Sequence, residues 1–546
     1  MKRRMISVLA VVVLTASCAD SQSQQEQQHP GPMEVGENIA VVSTTNGDVR
    51  GYIDDGVFGF KGIPYAQAER FMPPEPPDPW DGVLQTTIWG PRAMQAQSRL
   101  NWNGQSDVNF GKRFPIEPMD EHESFVLNVW TNGINDGGQR PVWVWIHGGG
   151  YSAGSANQQP FFDGRSMASK GEIVVVSVNH RLNVLGYLDL RGLGGKYAES
   201  VNLGQQDLVA ALQWVHDNIA NFGGDPGRVT IDGQSGGGGK VSVLMAMPPA
   251  AGLFHGAIVQ SGSTLSVSRG EDSKAYGLAF AQALGVTPEN TEGLNDFTYE
   301  ELVAATQRAS QMLAGSGGGG GGRGGLGPTV DGKYISQNPF DPAPAEFSKD
   351  VPMIIGSNLN ESGYADRSII TPQTMEQVRA TLSERYGAEN VEKYIQAYQE
   401  AYPNDDQPQH ILTTNVRTNP LRQAAVKSEQ GGAPAYLYLF QWKSPVNEGS
   451  LGAAHGMELP FMFNNIAMAR PLTGGGEEAY ALADKVSSAW ISFIKTGDPN
   501  NNGALPEWPP YTPNEGATMV FDNDVTVRNH HDKALIDLVS SLAGRR

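Results

Sequence analysis

Three short runs of apolar and β-branched residues stand out along the chain: Pro141–Ile146 (PVWVWI), Ile173–Val178 (IVVVSV) and Arg228–Ile231 (RVTI), each bounded by turn residues. Unbroken runs of this kind suit strands covered on both faces, because a strand with one wet face alternates apolar and polar positions instead. Between the last two runs, Gln205–Phe222 carries Leu208, Ala211, Leu212, Val215 and Ile219 at helical spacing. Strand, helix and strand in that order predict parallel strands joined by right-handed crossovers. The alternation starts at about Ile39, with no internal repeat, so the predicted class is α/β: a large, mostly parallel central sheet with helices on both faces and long insertions. One segment breaks the pattern, Gly315–Gly325, with nine glycines, one Ser and one Arg. It is expected to be a surface loop inserted within one domain, since patterned sequence continues on either side.

The start of the chain reads as an address. Lys2, Arg3 and Arg4 precede an apolar run, Met5–Ala16, that is too short to span a bilayer. A signal peptide over residues 1–17, a polar tether over 18–38 and a catalytic domain over 39–546 are therefore expected. Thr15-Ala16-Ser17-Cys18 resembles a bacterial lipobox, which makes Cys18 the expected lipid attachment point and the tether a flexible spacer from a membrane surface. The expected location is beyond the inner membrane, as a periplasmic or outer-membrane lipoprotein; an ordinary signal peptide would instead make the protein secreted. Composition narrows the partners. Cys18 is the only cysteine, which excludes an intrachain disulfide scaffold, and 58 acidic against 39 basic side chains, a net charge of −19, would repel nucleic acid. A membrane enters only through the lipid.

The first chemical signal is Gly233-Gln234-Ser235-Gly236-Gly237, a G-x-S-x-G in which flanking glycines tolerate a sharp turn around a serine. With 66 glycines in 546 residues an accidental match is no surprise, and Gly150-Tyr151-Ser152-Ala153-Gly154 is a second one. Context separates them. Ser235 follows Val229–Ile231 and precedes the helical run Lys240–Met247, whereas Ser152 lies in a polar loop. Ser235 is the predicted nucleophile.

A serine needs a base, and the base an acid to orient it. In a strand-turn-helix hydrolase both follow the nucleophile in the chain. That order removes His29, His122, His147, His180 and His216, and His255 follows too soon to admit an acid between. His410, His530 and His531 lie in polar or terminal stretches and are expected at the surface. His455, in the small-residue loop Gly452–Gly456, remains. Glu361 is the expected acid because it follows the strand-like Val351–Ile355 through a turn, and catalytic groups gather at the carboxyl ends of parallel strands. His147-Gly148-Gly149-Gly150, directly after a strand, can turn backbone amides toward a developing oxyanion, with Gly236 adding another.

With these motifs in place the chain resembles the type-B carboxylesterases, the cholinesterase-like branch of the α/β-hydrolase fold. The likeness runs from about Gly47 to Tyr511 through Phe60–Ala66 (FKGIPYA), Arg70-Phe71, Pro73-Pro74, Leu127–Val129, Asn179–Leu182, Asn218–Pro226, Gly252–Phe254, Gln260–Gly262, Gly356–Glu361 and His455–Pro460. The resemblance implies the triad Ser235, Glu361 and His455, an oxyanion hole of the Gly149, Gly150 and Gly236 amides, and no metal or organic cofactor. Four positions depart from the family pattern. Ala93 and Ser124 replace a disulfide-forming pair, so the loop between them is expected to be more mobile. Gln234 replaces a Glu, which should weaken attraction for a cationic substrate or a histidinium. Gly236 replaces an Ala and should loosen the turn. Lys240 replaces a small residue, and nothing in the sequence says how its charge is accommodated.

The expected function is hydrolysis of small-molecule carboxylic esters through an acyl-enzyme. Carbamate, amide or lipid-ester hydrolysis on the same triad is the alternative, although Trp102–Pro118 is too polar for a lipase lid. A non-catalytic binding protein of the same fold is the remaining reading, and it is disfavoured because all three triad members stand in their motifs.

Overall fold

The structure is a computed structural model that describes residues 31–95, 118–314, 325–362, 372–500, 503 and 505–543. The expected signal peptide, Cys18, the Gly-rich loop up to residue 324 and residues 102–117 lie outside the described residues.

Twelve strands form one sheet in the order Met33–Glu34, Tyr52–Asp54, Val57–Pro64, Val126–Thr131, Val174–Val178, Arg140–Ile146, Gly224–Gln234, Gly256–Gln260, Met353–Asn358, Ala435–Phe440, Ala517–Phe521 and Thr526–Asn529. All pairs from Val174–Val178 to Ala517–Phe521 are parallel, and antiparallel pairs flank them on both sides. The unbroken apolar runs follow from burial on both faces. Val142, Val144 and Ile146 pack with the helix Leu203–Asn218 on one face. Trp143 and Trp145 point the other way, into a core shared with Arg165–Gly171 and Glu477–Thr496. Side chains alternate across a strand, so a run with no polar position requires a helix layer on each side.

The predicted helix Gln205–Phe222 is Leu203–Asn218 followed by a turn of 3₁₀ helix at Ile219–Phe222. Part of the predicted tether is ordered: Met33 pairs with Asp54 and Glu34 with Ile53, and the Gly31 amide donates to Asp55 at 2.7 Å. The polar composition of that segment hid this, because an edge strand needs only backbone partners. A long insertion between Gly256–Gln260 and Met353–Asn358 contributes the helices Gly270–Ala283 and Tyr299–Ala314, which close an apolar cluster of their own around Leu190, Phe280 and Leu302. Among the described residues no helix is long and apolar enough to cross a membrane.

Ala93 and Ser124, the positions without the family's disulfide, are both buried. The loop base between them is held by backbone bonds instead, from the Arg92 amide to the Pro118 carbonyl (3.0 Å) and from the Asp120 amide to the Arg92 carbonyl (3.1 Å).

Candidate active site

Arg140–Ile146 and Gly224–Gln234 are neighbours, while the strand between them in sequence, Val174–Val178, lies on the far side of the first. The chain leaving Ile146 turns to one face of the sheet and the chain leaving Gln234 to the other, so a crevice opens beyond these two strand ends. His147–Gly150 and Ser235 are the residues at its lip.

Ser235 takes φ 57° and ψ −123°, a conformation that L-residues rarely hold. Its amide donates to the Gln260 carbonyl (2.8 Å) and its carbonyl accepts from Gly239 (3.0 Å), which fixes the turn. The helix Gly236–Leu244 starts immediately after it. Its first residues are glycines because backbone lies against them: a Cβ at Gly236 would collide with the Gly150 carbonyl, and one at Gly237 with the Ile146 carbonyl. Gly236 therefore lets the His147–Gly150 loop approach more closely than a side chain would permit.

Gly149 (φ 93°) and Gly150 (φ 66°) have left-handed backbones, and among the described residues neither amide donates to any acceptor. The Gly236 amide opens its helix and so also lacks an intrahelical partner. A residue the sequence reading missed secures the far end of this loop. The buried Gln95 carboxamide accepts from the Gly154 amide and donates to the Gly154 carbonyl, both at 2.9 Å. Ser152 is exposed on the same loop, as a bystander.

Glu361 and His455 meet although 94 residues separate them: Glu361 Oε2 bonds His455 Nδ1 directly. Glu361 Oε1 accepts from the Asn358 amide (2.8 Å). Asn360 staples the two loops, its amide donating to the Ala453 carbonyl (3.0 Å) and its Oδ1 accepting from the Ala453 amide (2.9 Å). Burial alone would depress the His455 pKa, but the Glu361 carboxylate outweighs it and, with Glu458, holds the imidazole above its usual range. Glu458, fully buried and bonded by Asn358 Nδ2 at 2.5 Å, is itself pushed up to about 7 by burial and by the Glu361 charge. Sequence reading gave no role to Glu458 or Asn360, because their neighbours come from other strands.

The Gln234 carboxamide Nε2 lies 3.1 Å from His455 Nε2. The same amide nitrogen lies 3.4 Å from His455 Nδ1, so the amide sits over the face of the imidazole and leaves the in-plane Nε2 lone pair free of it. Among the described residues no hydrogen bond joins Ser235 to His455. Hydrogen bonds of this kind commonly close only with substrate present.

Behind the oxyanion loop, His147 and His180 stack with ring centroids 5.0 Å apart, each Nδ1 facing a backbone carbonyl. Burial first, and the Lys240 charge second, hold both well below their usual pKa, so both are neutral. Lys240, whose accommodation the sequence left open, is fully buried and donates to the His147 carbonyl at 3.1 Å.

Two histidines expected at the surface are not there. His410 is fully buried, Nδ1 on Asp405 (2.8 Å) and Nε2 on the Gly449 carbonyl (3.1 Å). His531 is largely buried beside Tyr402. Polar neighbours in sequence misled for His410, since Asp405 folds inward to pair with it; His530 is exposed as expected. Among the described residues no group of three or more His, Cys, Asp or Glu side chains is arranged to hold a metal ion. A cavity of about 1210 Å³ opens at Ser235, Gly236 and Glu361 and runs beneath Tyr151, Tyr276 and Leu326.

The family model described as "Carboxylesterase family" matches residues 38–538. The para-nitrobenzyl esterase of Bacillus subtilis (strain 168) is 31% identical over 503 residues, covering 90% of this chain and 96% of that protein. The phenmedipham hydrolase of Pseudarthrobacter oxydans is 32% identical, covering 89% and 95%. Among solved structures, an esterase from Clostridium hathewayi described as hydrolysing aliphatic aromatic polyesters superposes with a TM-score of 0.82 at 36% identity, over 93% of this chain and 99% of that one.

Proposed function

The chain belongs to the carboxylesterase family and hydrolyses carboxylic esters, and from that premise we propose that Ser235, His455 and Glu361 are its catalytic triad and the amides of Gly149, Gly150 and Gly236 its oxyanion hole. The observation that carries the assignment is the crevice itself: a serine held at positive φ, a Glu–His pair and two unengaged glycine amides converge there from separate strand ends.

In the forward step Ser235 Oγ donates to His455 Nε2. Oγ adds to the ester carbonyl as its proton passes to Nε2. The glycine amides take the oxyanion, worth about 3–4 kcal/mol per donor in comparable acyl-transfer sites. Collapse expels the alcohol, protonated by His455, and leaves an acyl-Ser235. Water, deprotonated by the same nitrogen, then releases the acid. Glu361 holds the Nδ1–H tautomer and stabilises the imidazolium throughout.

The cavity volume of about 1210 Å³ exceeds the roughly 300–1,000 Å³ of common small-molecule pockets, which favours esters with a bulky acyl or alcohol part. A series of p-nitrophenyl and aryl-dicarboxylate esters tests this, with carbamates, amides and long-chain lipid esters as the competing outcomes. Ser235→Ala tests the nucleophile: turnover must fall to background and labelling by a fluorophosphonate must vanish, and full activity would sink the assignment. We propose further that the chain is exported and lipidated at Cys18, supported by the basic, apolar and lipobox-like segments before it. Cys18→Ser must then move the protein out of the membrane fraction.

A further inference from the structure

Two of the positions where this chain departs from its family meet at one interface. The helix Gly236–Leu244 begins with four consecutive glycines, about 1 kcal/mol per residue less favourable than alanines in a helix interior. In exchange, backbone packs on backbone at Gly236, against Gly150, and at Gly237, against the carbonyl of Ile146, while Gly239 faces the Tyr151 hydroxyl. At Gly236 and Gly237 no interlocking side chains set the register. Lys240 is the next residue, one turn on from Gly236 and Gly237 and on the same helix face. Its ammonium donates to the His147 carbonyl, the last peptide before the oxyanion glycines, from a position with no solvent exposure.

We propose that Lys240 is a positioning residue for the oxyanion hole: a charge-assisted hydrogen bond that clasps the His147–Gly150 loop to the nucleophile helix and fixes the Gly149 and Gly150 amides relative to Gly236. The three donors come from two separate chain segments, and their mutual geometry must hold to within about half an ångström for the oxyanion to be met by all of them. Glycine packing brings the segments together, and Lys240 sets where they stop. The neutral, stacked His147–His180 pair beneath is the matching surface, since a second cation there would repel the ammonium.

The inference rests on the oxyanion assignment proposed above, and the test separates the two. Lys240→Met, close to isosteric and uncharged, is compared with Lys240→Arg and the parent enzyme for kcat, KM and inhibition by an alkyl trifluoromethyl ketone, whose hemiketal oxyanion occupies the hole. The expected result is a loss of kcat of about 10- to 100-fold, below the 10²–10³ typical of removing a whole donor, with KM within about threefold. Ketone affinity falls in parallel, and Arg restores part of both. Parent-like kcat and ketone affinity in a folded Met variant, or a change in KM alone, overturns the proposal. If Met at this position prevents folding, Lys240→Gln is judged against the same two outcomes. If Ser235→Ala keeps activity, the site assignment fails instead, whatever Lys240 does.

Discussion

Gln234→Glu places a carboxylate where an amide now lies against the imidazole of His455, the proposed base. The perturbed quantity is the protonation of His455, which must be neutral at Nε2 to accept the serine proton. At 3.1 Å from Nε2, a unit negative charge favours the imidazolium by about 1.3–2.7 kcal/mol for an effective dielectric constant between about 80 and 40, as befits a partly exposed site. That is about one to two pKa units. His455 is already held above its usual range by Glu361 and Glu458, so the acidic limb of kcat/KM, which reports the free enzyme's base, moves further up by that amount. The assay is kcat/KM for p-nitrophenyl acetate over a pH series at fixed ionic strength, for the parent, Gln234→Glu and Gln234→Ala. The Ala variant removes the amide without adding charge and is expected to leave the limb near its parent position. An acidic limb in the Glu variant that stays in place or moves down refutes the reasoning, because no geometry with a charge at that distance leaves the base untouched.

Glu361→Gln keeps the size but not the charge and is expected to lower kcat by about 10³–10⁴-fold, measured on the same ester; a loss below tenfold means Glu361 does not orient His455. Gly236→Ala, although alanine is the family's usual residue there, is expected to lower kcat because its Cβ meets the Gly150 carbonyl, and an unchanged kcat would show that the loop yields freely. Asp405 sits at a pKa of about 2: burial alone would raise it, but the hydrogen bond and charge of His410 outweigh that. Because the folded value lies below the ordinary 3.8, this carboxylate contributes about 2 kcal/mol above pH 4 that fades as pH falls toward 2. Asp405→Asn is expected to lower Tm at pH 7 and to flatten Tm against pH between about 4 and 2. Asp532→Asn leaves the buried Arg417 without its bidentate partner and is expected to cost about 3–5 kcal/mol in denaturant unfolding.

Legibility in the sequence tracked how local the physics was. The strand runs, the turn at Ser235 and the glycines before and after it depend on a few neighbouring residues, so their chemistry shows in order along the chain. The choice of His455 and Glu361 rests on elimination and on their small-residue and strand-end settings, which are local too. Gln95, Asn360 and Glu458 were missed because each acts only through a partner far along the chain: Gly154, Ala453 and Asn358 respectively. His410 was placed wrongly for the same reason, since a polar stretch reads as surface unless its carboxylate is known to turn inward.

Sequence alone determined the class of fold, the order of the proposed nucleophile, acid and base, and the ester-hydrolase family, because these rest on patterning and on motifs whose spacing is covalent. Tertiary structure alone decided that the Gln234 amide lies against the His455 imidazole, that Gly236 lets the His147–Gly150 loop come close, and that Lys240 is buried with its charge on the His147 carbonyl. The physical reason is the strand order. Only when Arg140–Ile146 lies beside Gly224–Gln234 do a loop and a helix that are distant in sequence come into backbone contact. The energy of an amide, a missing Cβ or a buried ammonium depends on what that contact brings within a few ångströms of it.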